Sequence, residues 1–316
     1  MFKYTVKRLL QSVLTVLIIV TIVFLCMRAL PTDFFFTEDQ MMKLNDQQKE
    51  DILAKAGLLD PIPTQLFRYY GQVLSGDFGT SRRIQNGTSV LEIIGGKFTI
   101  SMRLGLTSMA ISLTLGILLG VLQARQKDRL MDHVGTVYTV FVNSVPPLVS
   151  YSLVLVFGSR VLGLPSLYSN KNIGMSSILP VVCLALTSIA HYALWTRRYM
   201  VDESTKDYIK LARIKGMSTQ SIMVKHILKN AFVPLVQYIP ASIILTFGGT
   251  LLVERFFSVP GMGTLMVDAI QRYDTEVVQT CVMIYAFLGI IGVFLGDLAM
   301  TLFDPRIKLA GGGETR

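Results

Sequence analysis

The residue types that perform chemistry in enzymes occur in this chain, but their spacing fits none of the common catalytic motifs. The glycine pair at 95–96 precedes Lys97, yet Leu91 stands where a phosphate-binding loop has its first glycine. The sequence has no His-Glu-x-x-His pair, no serine in a glycine elbow and no paired cysteines. Its cysteines lie singly inside apolar runs, at Cys26, Cys183 and Cys281. The sequence therefore predicts no catalytic, cofactor or metal site, and we expect the chain not to be an enzyme itself.

Three polar residues inside apolar stretches are candidates for the wall of a water-filled cavity. Asn143 and Ser144 come just before a proline pair, and His191 lies well inside a later apolar run. Polar side chains are costly within a membrane unless they meet a partner or water, so they often line solute pathways. A hydrogen bond to a neighbouring helix is the competing explanation for His191. Arg103 and Asp297 lie near the ends of apolar runs, where we expect interfacial anchors.

The composition is that of an integral membrane protein. Of the 316 residues, 51% are hydrophobic and only 16% are charged, too few charges to cover a soluble protein of this size. A helix needs about 20 apolar residues to cross the hydrocarbon core. Suitable stretches occur at residues 9–27, 104–124, 134–159, 172–196, 230–253 and 277–296. We expect the first of these to be a retained anchor, because its uncharged run is too long for a signal peptide.

The distribution of lysine and arginine predicts how these six spans are oriented. With both termini in the cytosol, the cytosolic pieces are residues 1–8, 125–133, 197–229 and 303–316. These pieces contain 17 of the 30 basic residues but only 7 of the 21 acidic ones. The net charge of +9 thus marks the cytosolic side, and we expect no nucleic-acid partner.

The segment between the first two spans, residues 31–97, is too long and too polar for a simple connection. Asn45 can cap a helix that ends at Gly57, a second helix follows over 64–74, and a glycine loop lies at 76–81. We therefore expect a small folded cap on the external side.

A short amphipathic helix is predicted within the longest polar interruption of the second half, residues 197–229. Apolar side chains at helical spacing form a broad stripe, at Tyr208, Ile209, Leu211, Ala212 and Ile214. Basic side chains fall on another face, at Lys206, Lys210 and Arg213.

A glycine corner is predicted to end this helix. Gly216 stands where the residue after a helix adopts a positive φ, and Ser218 can cap a following helix. Met217 and Ile222 have the spacing of a hydrophobic staple across that cap. The sequence therefore predicts two helices that meet at a sharp corner suited to grip by another protein. The competing interpretation is a basic loop solvated beside anionic lipid.

Prolines interrupt two of the predicted spans. The third contains Pro146-Pro147, and the fifth contains Pro234 and Pro240. Proline removes a backbone hydrogen bond and kinks a helix, and the freed carbonyls then need a neighbouring helix or cavity water. Kinked spans favour a transporter, although channels and receptors share them.

The corner sequence resembles that of permease subunits of bacterial ABC importers, in the dipeptide, oligopeptide and nickel branch. The run Leu211-Ala212-Arg213-Ile214-Lys215-Gly216, followed by residues 226–231, is similar to the cytosolic motif of that branch. Two positions depart from the motif, with Lys210 in place of its glutamate and Lys229 in place of its proline.

Further islands of resemblance lie in order along almost the whole chain. Residues 57–61 with Gln65, and residues 76–81, are similar to the external cap of B-type subunits of this branch. Residues 257–263 are similar to its external turn after the fifth span, and Asp304-Pro305-Arg306 to its terminal motif.

The resemblance implies an all-α integral membrane protein of the bacterial inner membrane with both termini cytosolic. It has six transmembrane helices, an external helical cap between the first and second, and a cytosolic coupling helix between the fourth and fifth. The implied divisions are a tail and first helix (1–30), the cap (31–97), a five-helix core (98–303) with its coupling loop (197–229), and a cytosolic tail (304–316).

The resemblance also implies partners. Such a subunit pairs with a second homologous permease, binds two cytosolic ABC ATPase subunits and receives its solute from an external substrate-binding protein. ATP-driven closure of the ATPases would pull the coupling loops and rock the spans from inward-open to outward-open. The expected cargo is di- or oligopeptides, with nickel chelates, glutathione or oligosaccharides as alternatives.

The same resemblance assigns roles to residues. The contact with the ATPase would be made by Asp207, Tyr208, Lys210, Leu211, Ala212, Arg213, Lys215, Gly216, Met217 and Ser218. In the cap, Asp60, Gln65 and Asp77 would meet the binding protein or gate the outer mouth.

Two rival functions come from other classes. A self-sufficient secondary transporter or channel predicts paired charges at mid-depth and internal inverted repeats, and we find neither in the sequence. A membrane scaffold without transport is the other, which kinked helices and an ordered cap disfavour.

Overall fold

The chain is helical throughout most of the computed structural model, which describes residues 2–31, 35–36, 38–247 and 251–303. Within these ranges the extended backbone pairing is limited to one bridge between Thr80 and Ser89. Long apolar segments fold this way because a helix satisfies its own backbone hydrogen bonds without water. The terminal motif Asp304-Pro305-Arg306 and the predicted tail lie outside the described residues.

The helices follow one another with short connections. In the first half they are α1 (Phe2–Arg28), α2 (Glu38–Lys43), α3 (Asp46–Lys55), α4 (Ile62–Leu74), α5 (Val90–Arg125), α6 (Leu130–Ser144) and α7 (Pro147–Arg160). In the second half they are α8 (Ile173–Ser176), α9 (Ile178–Ser204), α10 (Asp207–Ile214), α11 (Thr219–Ile222), a π-helical turn (Met223–Leu228), α12 (Lys229–Phe247), α13 (Leu251–Phe256), α14 (Met262–Gln271) and α15 (Thr275–Phe303).

Among the described residues, five helices are long and apolar enough to cross a membrane, or six if one bent pair counts as a single span. Helices α1, α5, α9 and α15 fall on predicted spans and extend beyond them, because polar turns continue the same helix past the apolar run. Helix α9 runs to Ser204, well into the predicted coupling loop. Both prolines of the fifth span lie inside α12, as expected.

The third predicted span, residues 134–159, is wrong as a single helix. Helices α6 and α7 cross at 112° at this point. Each residue before a proline is pushed out of the helical region, and here Val145 and Pro146 are both extended, with ψ of 128° and 136°. Two consecutive prolines therefore break the helix where one would only bend it.

Helix pairs hold the bundle together through close backbone approach. Helix α5 packs along α9, and α12 packs along α15. A Cβ atom added to Gly120 of α5 would lie 2.6 Å from the carbonyl oxygen of Ala193 in α9, so only glycine fits there. In membranes such small residues let helices approach and gain dispersion contacts.

The segment predicted to be a cap contains three helices, α2 to α4, and Asn45 caps the second of them as expected. The Asn45 side chain accepts from the backbone N–H of Gln48, and the Gln48 side chain accepts from the N–H of Asn45. Gly57 follows α3 with φ of +66°. The cap also reaches down the first span, where the Tyr70 hydroxyl donates to the Leu17 carbonyl over 3.2 Å.

Candidate coupling site

The glycine corner forms as the sequence predicts. Gly216 has φ of +75°, a conformation that side chains with a Cβ rarely adopt. Its N–H donates to the carbonyl of Arg213 over 3.0 Å, and the N–H of Met217 donates to that of Ala212 over 3.2 Å. This is a Schellman arrangement, which ends α10 and turns the chain sharply.

The next helix begins with the predicted cap. The Ser218 side chain accepts from the backbone N–H of Ser221 over 3.3 Å. Met217 and Ile222 belong to the same apolar cluster, in agreement with the staple. The corner is therefore fixed on both sides by local hydrogen bonds and by apolar contact.

A small apolar core joins the corner to the spans. Ile209 and Ala212 of α10 pack in one cluster with Met200 at the end of α9 and with Ile222 and Ile227 beyond the corner. The loop is thus a folded unit attached to α9 and α12 and has its own buried contacts.

The predicted apolar stripe of α10 is present, but only part of it is buried. Ile209 and Ala212 point inward, whereas Leu211 and Ile214 are 52% and 82% exposed. Tyr208 is also exposed. A helix of eight residues on a small core buries one narrow face, so the remaining apolar side chains form an outward patch.

Charged residues surround this patch. Lys210 pairs with Asp207 over 2.8 Å, and both side chains are well exposed. Arg213 and Lys215 are exposed as well. The outward surface of the corner is therefore apolar with mixed charge around it, in which three basic side chains outnumber the carboxylate of Asp207.

Tyr208 makes hydrogen bonds at the base of the corner that the sequence did not predict. The Tyr208 hydroxyl donates to the Glu203 carboxylate at the end of α9, and Asn230 Nδ2 donates to the same hydroxyl over 2.7 Å. Partial burial, followed by the hydrogen bond to Glu203, raises the pKa of Tyr208. This contact ties the start of α10 to the start of α12.

The three predicted cap residues have structural partners within the cap. Gln65 is 6% exposed and donates from Nε2 to the carbonyls of Leu58 and Asp60 over 2.9 and 2.7 Å. The Asp60 side chain pairs with Arg68 over 2.6 Å. Asp77 is exposed and accepts from the N–H of Gly79 over 3.0 Å. Their proposed contact with a binding protein stays a prediction.

The cavity candidates are not brought together. Asp132 contacts Arg197 and Tyr138 contacts Leu186, so α6 and α9 run antiparallel. Asn143 and Ser144, at the far end of α6, therefore lie at a different level from His191. All three are exposed on the isolated chain, and the His191 ring lies edge-on to Tyr192 and tilted beside Trp195 in α9.

Asp297 is not an interfacial anchor, contrary to expectation. It is 6% exposed and accepts from Gln237 of α12 over 3.3 Å. Close packing of α12 on α15 buries it, since a Cβ added to Gly296 would lie 2.2 Å from the Gln237 carbonyl oxygen.

Buried carboxylates organise the predicted external end, and sequence reasoning missed both. Glu254 is 2% exposed and accepts from the Ser101 hydroxyl over 2.7 Å and from the N–H of Thr264 over 3.1 Å. Asp274 is fully buried and accepts from the Ser81 hydroxyl and the N–H of Ile84. An acidic residue beside an apolar run at a span end is the signal that could have found them.

No cluster of three or more metal-ligating side chains occurs in the part of the chain that the structure describes.

Comparison with known proteins places this geometry in context. Residues 116–309 match the model of the family described as binding-protein-dependent transport system inner membrane component. The chain is 32% identical to the dipeptide transport system permease protein DppB of Lactococcus lactis over 98% of its length and all of that protein. It is 31% identical to the oligopeptide permease AppB of Bacillus subtilis and 30% to OppB of Salmonella typhimurium, with 98% of the chain and all of each relative covered.

Proposed function

Because the chain belongs to the family of binding-protein-dependent transport system inner membrane components, we propose that it is the permease subunit of an ATP-driven peptide importer. Relatives of similar length are named dipeptide and oligopeptide permeases, which supports di- or oligopeptides as the cargo. Nickel chelates, glutathione or oligosaccharides are the alternative cargoes. The protein would be a multi-pass component of the inner membrane with cytosolic termini.

The outward patch of α10 is the observation that carries this proposal. Leu211 and Ile214 are spaced i and i+3 and stand exposed on a helix whose opposite side is packed. Exposed apolar side chains at this spacing fit a hydrophobic groove on a partner. Lys210, Arg213 and Lys215 around them favour a groove with an acidic rim.

The partner that fits this patch is an ATPase subunit, one of two in the proposed assembly. The sequence offers no nucleotide-binding motif, so the work of uphill transport would come from that partner. When the ATPase pair closes on ATP, each would move the corner it holds. Because the corner shares a buried core with α9 and α12, its displacement would bias the spans between two conformations.

The assembly would also contain a second homologous permease, with the solute path between the two subunits. Asn143, Ser144 and His191 are exposed on the isolated chain, which leaves them available to such a path. Cysteine accessibility during transport would test them, because path residues become protected when cargo is present.

Charge placed in the patch of α10 tests the docking contact. The variant Leu211→Asp/Ile214→Asp puts two carboxylates where apolar contact is required, so ATPase subunits should no longer copurify with the permease. Leu74→Asp is the matched control, because Leu74 is 88% exposed but lies in the cap. Unchanged copurification of ATPases with the double variant would contradict the proposal.

The exposed side of the cap is the proposed contact with the external binding protein. Gln65 supports the turn at Asp60 from inside, so the accessible surface is instead that of Phe67 and Leu74, which are 75% and 88% exposed. A photo-crosslinker at Phe67 should capture a secreted solute-binding protein. Capture of none, with the rest of the importer assembled, would contradict this contact.

A further inference from the structure

A partly buried ion pair joins α6 to α9 at the predicted cytosolic end of the bundle, with the Asp132 side chain 4% exposed and the Arg197 side chain 28% exposed. Arg197 donates from Nε and Nη2 to the two oxygens of Asp132 over 2.5 and 2.7 Å. Asp132 is 3% exposed and also accepts from the N–H of Asp128 over 2.9 Å. Two parallel bonds between a planar guanidinium and a carboxylate fix orientation as well as distance.

The arginine of this pair is rigidly connected to the coupling corner. Helix α9 continues from Arg197 to Ser204, a distance of about 10 Å along the helix axis. Met200, between them, packs in the same cluster as Ile209 and Ala212 of α10. The end of α9 therefore packs directly against the corner, so a displacement of one would be passed to the other.

The surroundings of the pair contain buried polar atoms that are not satisfied in this conformation. Gln123 Oε1 and Thr196 Oγ1 have no hydrogen-bond partner among the described residues, and these side chains are 1% and 0% exposed. Gln123 is pressed against α6, since a Cβ added to Gly135 would lie 2.4 Å from its Cδ. Unpaired buried polar groups raise the free energy of the arrangement that contains them.

The packing of α5, α6 and α9 in this region thus includes two opposing contributions to the free energy. The ion pair favours the observed placement of α9 on α6, while the unsatisfied atoms favour a shift that would give them partners. A partner that pulls on an element held by such opposing contributions can change which arrangement is populated.

We propose that Asp132 and Arg197 are positioning residues that hold the coupling corner in its resting conformation and so restrain ATP hydrolysis until cargo arrives. This inference rests on the proposed function. Buried ion pairs add little net stability relative to apolar packing, because desolvation offsets their attraction. The contribution of this pair is the selection of one placement of α9 relative to α6.

The test compares ATP hydrolysis by purified importer complexes with no binding protein and no solute present. Asp132→Asn and Arg197→Gln should each raise this unstimulated rate about tenfold, the size of a typical coupling between sites. The double variant should give the same increase of about tenfold and not about a hundredfold, because both changes remove one interaction. Reduced folding alone cannot raise the rate of hydrolysis.

Arg198→Gln is the matched control, since Arg198 is the neighbouring arginine but is exposed and stacks over Trp195. It should leave the unstimulated rate within about twofold of the wild type. An unstimulated rate of ATP hydrolysis that is unchanged or lower in both Asp132→Asn and Arg197→Gln would overturn the inference. Loss of the assembled complex in these two variants and in the double variant would also overturn it. A wild-type permease that never assembles with ATPases would instead overturn the proposed function.

Discussion

The two ends of the molecule are built in opposite ways. The coupling loop (residues 197–229) has an apolar interior and turns Leu211 and Ile214 outward. The outer turn (residues 254–274) buries Met262, Leu265 and Ala269 and turns the carboxylates of Glu254 and Asp274 inward. The coupling loop exposes apolar side chains, whereas the outer turn buries carboxylates that accept hydrogen bonds from distant segments.

This difference indicates that the coupling loop binds a partner, whereas the outer turn stabilises the fold of the chain itself. Contiguous exposed apolar side chains often mark a surface that a partner covers, so this patch favours docking. A buried carboxylate that accepts several hydrogen bonds holds neighbouring loops in one arrangement. Changes at the coupling loop should therefore affect assembly and hydrolysis, whereas changes at the outer turn should affect stability first.

The largest effect is expected from Gly216→Val. At φ of +75° a β-branched residue is strained by about 1–3 kcal/mol, so the corner would reopen and lose its angle. We expect peptide uptake and stimulated ATP hydrolysis to be lost while membrane insertion is retained.

Gly71→Val provides the control for this change. Gly71 lies in α4 with no positive φ and open space where a Cβ would stand. Gly71→Val should keep both peptide uptake and stimulated ATP hydrolysis. Normal uptake by Gly216→Val would show that transport does not depend on the angle of the corner.

A smaller effect is expected from Glu254→Gln at the outer turn. An amide has one acceptor oxygen in place of two, so either the bond from the Thr264 N–H is lost or the bond from the Ser101 hydroxyl must reverse its direction. The cost should be about 1–3 kcal/mol of unfolding free energy. Thermal unfolding measures it, and copurification of ATPases should be unaffected. A Glu254→Gln variant that is as stable as the wild type but no longer binds ATPases would contradict the assignment of stability to the outer turn and of assembly to the coupling loop.

Tyr208→Phe should cost less, about 1 kcal/mol, because it removes the neutral hydrogen bond from Asn230 and one to Glu203. The variant should also differ from the wild type at high pH. The pKa of Tyr208 is raised in the folded chain, so the unfolded chain loses its proton first above about pH 10 and wild-type stability falls there. Denaturation from pH 8 to 11 measures this. Equal pH dependence in the two proteins would count against the contact.

The smallest effect is expected from Lys210→Ala. Its pair with Asp207 is exposed, and such pairs contribute about 0.5 kcal/mol or less. The unfolding temperature should hardly change. A marked fall in ATPase copurification without a fall in stability would place Lys210 in the interface with the ATPase. It would thereby strengthen the distinction between the coupling loop and the outer turn.

The features that could be predicted from sequence depend on local chemistry. Asn45 and Ser218 cap helices, and Gly57 and Gly216 adopt positive φ, because neighbouring residues decide these conformations. Apolar runs of sufficient length likewise predicted the spans. At the site, the corner and its staple followed from spacing within about a dozen residues.

The features that were missed depend on contacts between distant parts of the chain. The break of the third span at Pro146 is the exception, because two adjacent prolines acting together explain it. The partners of Glu254 and Asp274 are Ser101 and Ser81, more than 150 residues away, so spacing carries no information about them. Packing against α9 decides which apolar side chains of α10 are buried, and the sequence pattern of α10 alone carries no information about that packing.

The most direct test of the account is a photo-crosslinker at Ile214, compared with one at Leu74. The two side chains are 82% and 88% exposed, so they differ in location and hardly in accessibility. The account predicts that Ile214 captures an ATPase subunit, with a yield that changes on addition of ATP, and that Leu74 captures none. An assembled, transporting complex in which Ile214 crosslinks to no ATPase would contradict it.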